Sequence, residues 1–328
     1  MKITILGAGN FGSALAFVWS ESGHSVALWS VEKKVVDEIQ KKRTNKLYLK
    51  NLKFSQKVTA TDDIAQAVNG AQIIVFAVPS NIVKTLAQQI AKIIPKNSYV
   101  INTAKGFDPE TRELLPNAIA SVFPKARSKK IFQLSGPAFA NDLAIGDPTA
   151  MDIAGNLAGA KELAKTLSTK KLFLMPTSDI IGTAFGGSAK NAYAIAMGMC
   201  DAAGFGTNAI AIIINSAICE MSELCEQIGG QRKTIAGLSG LGDLVATGLC
   251  ETSRNRIFGR ELVLARSPMS AHRRAHATTE GIASSEILYR LSRKHKLNMP
   301  LAKMIYNCVH LYKDPKKELE KFFITVGR

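Results

Sequence analysis

Residues 2–12 read KITILGAGNFG, an apolar run set directly against a GxGxxG pattern at Gly7, Gly9 and Gly12. Residues 13–22, SALAFVWSES, continue with apolar side chains at helical spacing. A strand, a tight turn and a helix therefore follow one another. Each glycine has its own physical reason in such a turn: one makes the bend, one lets backbone approach a pyrophosphate, and one lets the helix pack close on the strand. The helix N-terminus then faces the anion with its unsatisfied N–H groups. The flanking strand and helix set this pattern apart from a chance glycine-rich turn.

Working outward, residues 25–29 (SVALW) read as the second strand, with Glu32, Lys33 and Lys34 just beyond it. A reader of the adenosine ribose is expected there. An acid suits a 2′-hydroxyl and a base suits a 2′-phosphate, so the expected cofactor is NAD or NADP. Short apolar or β-branched runs recur at 72–78, 99–103, 131–134, 149–153 and 171–175, and helical patterns separate many of them. This alternation predicts an α/β, Rossmann-like doubly wound sheet domain, largely parallel, over residues 1–178. Strand signals then vanish. Long apolar segments at helical spacing, 181–203, 208–228, 279–296 and 300–312, predict an all-helical domain over 179–328.

The 328 residues, 46% hydrophobic and 21% charged, fit a globular chain long enough for two domains. No run reaches the ~18 apolar residues of a membrane span, and Met1 leads at once into a short strand rather than a secretory leader. A cytoplasmic protein without a membrane span is expected. Cys200, Cys219, Cys225, Cys250 and Cys308 form no CxxC pair and read as reduced thiols. Among His24, His272, His276, His295 and His310 there is no HExxH; His272 and His276 fall in the basic run AHRRAH, read as solvated surface, and no metal is expected. The net charge of +16 raises the question of nucleic acid. Its basic residues are scattered in short groups such as 125–130, Arg273 with Arg274, and Lys316 with Lys317, without aromatic interleaving, so no nucleic-acid partner is expected. A positive field that attracts an anionic substrate and cofactor accounts for part of the charge.

Five polar islands stand at glycine-bearing turns or helix starts: AKG at 104–106, SGPAFA at 135–140, GGSAKN at 186–191, GLGDL at 240–244 and SRNR at 253–256. The first two follow strands, which puts Lys105 and Gly136 at the carboxyl edge of the sheet, the ligand edge of open α/β folds. Lys190 lies in an otherwise small and apolar helical stretch, where a charge is costly unless it snorkels to the surface, pairs with an acid or takes part in chemistry. Asp243 is either a helix-start carboxylate or a partner for such a lysine or a substrate hydroxyl. Ser253 reads as the N-cap of RNRIFGREL, with Arg254 and Asn255 in the first turn; the same pattern describes a phosphate site or an exposed basic helix start.

Taken in order, GAGNFG, AKG, SGPAFA with GDPTA, GGSAKNAYAIAMG, GFGTNA, GLSGLGDL, SRNR and TTEG resemble the bacterial-type NAD(P)-dependent glycerol-3-phosphate dehydrogenases over nearly the whole chain. The resemblance implies reversible reduction of dihydroxyacetone phosphate to sn-glycerol 3-phosphate, which supplies phospholipid synthesis. It implies Lys190 as proton acceptor in the oxidation, with Lys105 and Asp243 holding the geometry. Lys105, Gly136, Ala138, Lys190, Asp243, Ser253, Arg254 and Asn255 are the implied substrate contacts. Gly7, Gly9, Asn10, Phe11, Gly12, Lys105, Ala140, Arg254, Thr278 and Glu280 are the implied dinucleotide contacts. A homodimer is expected from the apolar helices of the second domain. Two positions depart from the pattern: Val31 with Glu32 stands where relatives carry Arg or His, and Ile210 stands where they carry Arg or Lys. A reductase of another hydroxy acid with the same layout, and a dinucleotide-sensing or nucleic-acid-binding protein, are the alternative readings.

Overall fold

A computed structural model describes residues 1–265, 269–271 and 279–326. The opening stretch folds as read: Lys2–Leu6 is strand β1, Gly9 is the N-cap, and Asn10–Glu21 is helix α1. The remaining strands of the first compact unit, Met1–Ile180, are β2 (Ser25–Trp29), β3 (Thr44–Asn45), β4 (Leu49–Lys53), β5 (Val58–Thr61), β6 (Ile73–Phe76), β7 (Tyr99–Asn102), β8 (Ile131–Ser135), β9 (Thr149–Ala154) and β10 (Leu172–Thr177). Its further helices are α2 (Lys33–Lys42), α3 (Ile64–Val68), α4 (Val83–Ile90), α5 (Leu115–Val122), α6 (Ala140–Ile145) and α7 (Leu157–Leu167).

The main sheet runs in the order β10-β9-β8-β7-β6-β1-β2-β5. From β5 to β8 every pairing is parallel, and counted along the chain without the β3–β4 hairpin this is the doubly wound order 3-2-1-4-5-6. The order reverses between β1 and β6, so a crevice opens at their carboxyl ends, next to the glycine turn. The pairing of β8 with β9 is antiparallel, which turns β9 and β10 against the rest. Residues of β6 are buried on both faces, as expected of a strand covered by helices on each side. Trp19, fully buried in α1, donates its indole N–H to Leu167 O at 3.1 Å and so ties the first helix to the end of α7.

Strands β3, β4 and β5 carry no apolar run that sequence periodicity could detect. Residues 44–53, TNKLYLKNLK, are basic and pair only with each other in a two-stranded antiparallel ribbon. Strand β5, VTAT, is a four-residue edge strand held against β2.

The second unit, Ile181–Arg328, contains α8 (Ile180–Ala202), α9 (Thr207–Gln227), α10 (Arg232–Ile235), a π-helical turn (Leu238–Gly242), α11 (Asp243–Leu249), α12 (Arg254–Leu264), α13 (Glu280–Lys294), α14 (Pro300–His310) and α15 (Pro315–Val326). Every residue of α8 from 182 to 200 is buried, so this helix is the unit's core rather than an amphipathic face. Helix α9 is long and apolar enough to cross a membrane by length and composition, with mean hydropathy 1.3 over its best window. Inside the unit, however, its buried Glu220 accepts from the backbone N–H groups of Leu301 at 2.6 Å and Ala302 at 2.9 Å, and so caps the first turn of α14. Tyr193 of α8 donates to the same carboxylate at 3.1 Å.

Burial pushes Glu220 up to about 7, against the opposing effect of these three donors. Between its ordinary value of 4.5 and about 7 the folded chain retains a proton that the unfolded chain releases. This contribution to stability is full at low pH and is lost as the pH rises through about 7. Melting wild type and Glu220→Gln side by side at about pH 5 and about pH 8 therefore gives a Tm advantage of wild type that shrinks toward the higher pH. A gap that stays constant or widens contradicts the assignment.

Candidate active site

In the first unit the three glycines divide the work as their spacing implies. Gly7 has φ +116°, and its N–H donates to Trp29 O at 2.9 Å, which joins the turn to the end of β2. A Cβ at Gly12 would lie 2.0 Å from the carbonyl oxygen of Gly7, so only glycine lets α1 sit this close. A Cβ at Gly9 would meet nothing within 4 Å: this is the open face, at the N-cap of α1, with Asn10 exposed and Phe11 half-buried in the first turn. The turn therefore fits a pyrophosphate approaching from the Gly9 side.

A residue not singled out in the sequence supports this turn. Asn45 of β3, fully buried, donates from Nδ2 to Ala8 O at 2.8 Å and to Ser13 Oγ at 2.9 Å. It lies in a basic, hydrophilic stretch, and only the fold brings that stretch to the glycine turn.

At the carboxyl edge of the same sheet the AKG and SGPAFA islands come together. Lys105, three residues beyond β7, donates from Nζ to the carbonyl of Gly136 at 2.9 Å, immediately beyond the parallel neighbour β8. Gly136 is confined by β9, since a Cβ there would lie 2.9 Å from Met151 Cα. Ala138 is half-buried in the loop that follows, and Ala140 opens α6.

In the second unit Lys190 is 5% exposed and pairs with an acid. Its Nζ donates to Asp243 Oδ1 at 2.7 Å and to Thr247 Oγ1, and the threonine hydroxyl also lies 3.4 Å from Asp243 Oδ1. Asp243 begins α11 directly after the π-helical turn, and Thr247 follows one helical turn later on the same face. Thr247 was not singled out in the sequence, although its i+4 spacing from Asp243 was visible there. The close approach of the π turn depends on Gly186 of α8, whose Cβ would lie 2.5 Å from Ser239 O.

The next residue, Asn191, enters a second buried network. Asn255 donates to Asn191 Oδ1 at 2.9 Å and accepts the N–H of Gly281 at 3.0 Å, while Asn191 Nδ2 reaches Glu280 Oε2 at 3.3 Å. Ser253 is the N-cap of α12, accepting from Arg256 N at 3.4 Å, as its position in the sequence implied. Arg254 is exposed in the first turn, whereas Arg256 is taken up by Asp201 at 3.0 Å and by Glu251. Thr278, and with it His272, Arg273, Arg274 and His276, lies outside the described residues.

A glycine turn open to a pyrophosphate, together with a buried lysine held by a carboxylate and a hydroxyl, is the equipment of a dinucleotide-dependent oxidoreductase. Two family profiles match the chain: the NAD-dependent glycerol-3-phosphate dehydrogenase N-terminus over residues 2–160 and the C-terminus of the same family over 179–320. The chain belongs to this family. A glycerol-3-phosphate dehydrogenase [NAD(P)+] of Citrifermentans bemidjiense is 31% identical over 96% of this chain and 95% of its own length. That of Wigglesworthia glossinidia brevipalpis is 36% identical over 99% and 98%. The crystal structure of glycerol-3-phosphate dehydrogenase from Coxiella burnetii superposes with a TM-score of 0.88 at 32% identity, covering 98% of both chains.

If Thr247 helps to offset the burial of the Lys190 charge, removing its hydroxyl without changing its volume is costly. Thr247→Val is expected to lower unfolding stability by about 1.5–3 kcal/mol, the range for a hydrogen bond to a charged group, and Thr247→Ser to recover most of it. Denaturant titration of the three proteins checks this. Equal stability of the valine variant and wild type would remove Thr247 from the cluster's energetics.

Proposed function

We propose that the chain catalyses the reversible NAD(P)H-dependent reduction of dihydroxyacetone phosphate to sn-glycerol 3-phosphate, supplying glycerophospholipid synthesis. The observation that carries this reading is the Lys190, Asp243 and Thr247 cluster, buried in a chain of this family. Gly7, Gly9 and Gly12, with Asn10 and Phe11 beside them, would hold a nicotinamide dinucleotide, which would supply hydride to the C2 carbonyl or take it in reverse. Lys190, as ammonium, gives a proton from Nζ to the C2 oxygen as the carbonyl π pair becomes an O–H bond. In the oxidation the same nitrogen, as amine, takes the hydroxyl proton. Asp243 and Thr247 fix the direction of Nζ and offset the burial of its charge.

Arg254 at the start of α12, with Ser253 and Asn255, is assigned to the substrate phosphate, where a guanidinium and a helix N-terminus act together. Lys105, Gly136 and Ala138 are assigned to the substrate from the carboxyl edge of the sheet, and Lys105, Ala140, Arg254, Thr278 and Glu280 to the dinucleotide. Ile210, half-buried in the first turn of α9, supplies no cation where relatives carry one. A homodimer and a cytoplasmic location belong to the same reading. Part-exposed apolar residues on α9, Ile212 among them, support the first, and five cysteines that form no disulfide are consistent with the second.

Mixing the purified protein with dihydroxyacetone phosphate and following the oxidation of NADH and of NADPH in separate cuvettes tests the reaction. A 2-keto acid panel run alongside reveals a hydroxy-acid reductase instead. Lys190→Ala is expected to lose at least about 100-fold in turnover, the lower range for a general acid–base group, while still binding dinucleotide. Turnover at the wild-type level in this variant would refute the assignment of Lys190.

A further inference from the structure

Glu32 stands three residues beyond β2, whose last residue, Trp29, is bonded to Gly7 of the glycine turn. It is the N-cap residue of α2, yet its carboxylate makes no capping bond. Instead the hydroxyl of Tyr48 donates to Glu32 Oε1 at 2.5 Å, and the backbone N–H of Glu32 is held by Ser30 Oγ at 3.1 Å. Tyr48 lies in the short link between β3 and β4, with its N–H on Asn45 O at 3.1 Å. Asn45 is the residue that grips Ala8 and Ser13. One hairpin thus fixes two things, the glycine turn through Asn45 and the Glu32 carboxylate through Tyr48. The carboxylate's hydrogen bond raises Tyr48 to about 12, so its hydroxyl stays protonated and donates.

An acid about 20 residues beyond the glycine turn of a doubly wound sheet is placed to accept from a ribose 2′-hydroxyl, and its charge repels a 2′-phosphate. Glu32 follows Gly12 by that interval. Val31, 77% exposed, adds no cation beside it, and Lys33 and Lys34 are carried onward by the first turn of α2. We infer that Tyr48 and Glu32 form a preset acceptor for the adenosine 2′-hydroxyl, by which this protein selects NAD(H) over NADP(H). This rests on the dinucleotide-dependent reading above and specifies which dinucleotide.

Equilibrium titration of the full chain with NADH and with NADPH, read by nicotinamide fluorescence, tests the inference without relying on turnover. Wild type is expected to bind NADH about 10-fold or more tighter than NADPH, the scale of one hydrogen bond to a charged group. Glu32→Gln is expected to bring the two affinities within a few-fold, mainly by strengthening NADPH. Tyr48→Phe, which keeps the ring and removes only the hydroxyl, is expected to reduce the ratio several-fold with Tm unchanged. Tighter binding of NADPH by wild type would assign the subsite to Lys33 or Lys34 and overturn the inference, as would a Tyr48→Phe variant that weakens both dinucleotides equally. Dihydroxyacetone phosphate turnover in the same samples separates the two readings. Turnover with both dinucleotides alike defeats the selectivity and leaves the reaction standing, whereas selective binding without turnover does the reverse.

Discussion

Lys190 is buried in the second unit, and the helices around it are arranged to offset the cost of a charge there. An isolated buried charge costs several kcal/mol even after relaxation, and removing one partner of a buried pair typically costs about 3–5 kcal/mol. Asp243 at 2.7 Å and the Thr247 hydroxyl answer it. To bring them there, α11 must start close against α8, and close approach needs small residues. The sequence GGSAKNAYAIAMG provides them: Gly186 admits the π-helical turn, and Gly198 admits α12, where a Cβ would lie 2.1 Å from Arg256 O. A helix with bulky side chains on these faces would hold its neighbours at the usual 8–10 Å and leave the lysine unpaired. The apolar, glycine-rich texture of α8 and its one buried charged side chain are two aspects of one arrangement.

The first unit solves a different problem with the same means. A pyrophosphate must be met by backbone, so the turn at Gly7 to Gly12 carries no side chain at the approach and must be stiffened from elsewhere. The N–H of Gly7 on Trp29 and the carboxamide of Asn45 on Ala8 do this from β2 and from the β3–β4 hairpin. The hairpin is set outside the main sheet, where its register is independent of the strands that form the core. It can therefore fit the glycine turn without disturbing the parallel sheet.

What was legible in the sequence follows from these physical causes. The sheet strands with buried faces announced themselves as apolar runs, and their observed bounds differ from the expected ones by a few residues at most. Glycine and proline placed the turns that carry Lys105 and Gly136, and Ser253 was legible as a helix N-cap. Lys190 and Asp243 could be named because a charge among small apolar residues is anomalous, and their pairing was one of the readings left open, since a helix-start carboxylate fits the same pattern. Asn45 and Tyr48 were not legible. Their stretch is hydrophilic and lysine-rich, and polar residues in such a stretch look like surface until the chain folds back on the glycine turn. Thr247 was missed for a related reason: a threonine within a helix is unremarkable, and its value comes from facing α8.

The network next to Lys190 bears on how the start of α12 works. Asn255 uses both ends of its carboxamide inside the unit, toward Asn191 on α8 and toward the N–H of Gly281 on α13. A Cβ at Gly281 would lie 2.5 Å from Asn191 O and 2.7 Å from Asn255 Oδ1, so the contact is as tight as the backbone allows. Arg256 is drawn to Asp201 and Glu251, and Arg254 is exposed in the first turn of α12. Within SRNR the four side chains thus divide between structure and surface: Ser253 caps, Asn255 ties three helices together, Arg256 braces, and Arg254 faces outward. The start of α12 is thereby held in register with Lys190, because Asn191, the lysine's neighbour in sequence, is the residue to which Asn255 is bound.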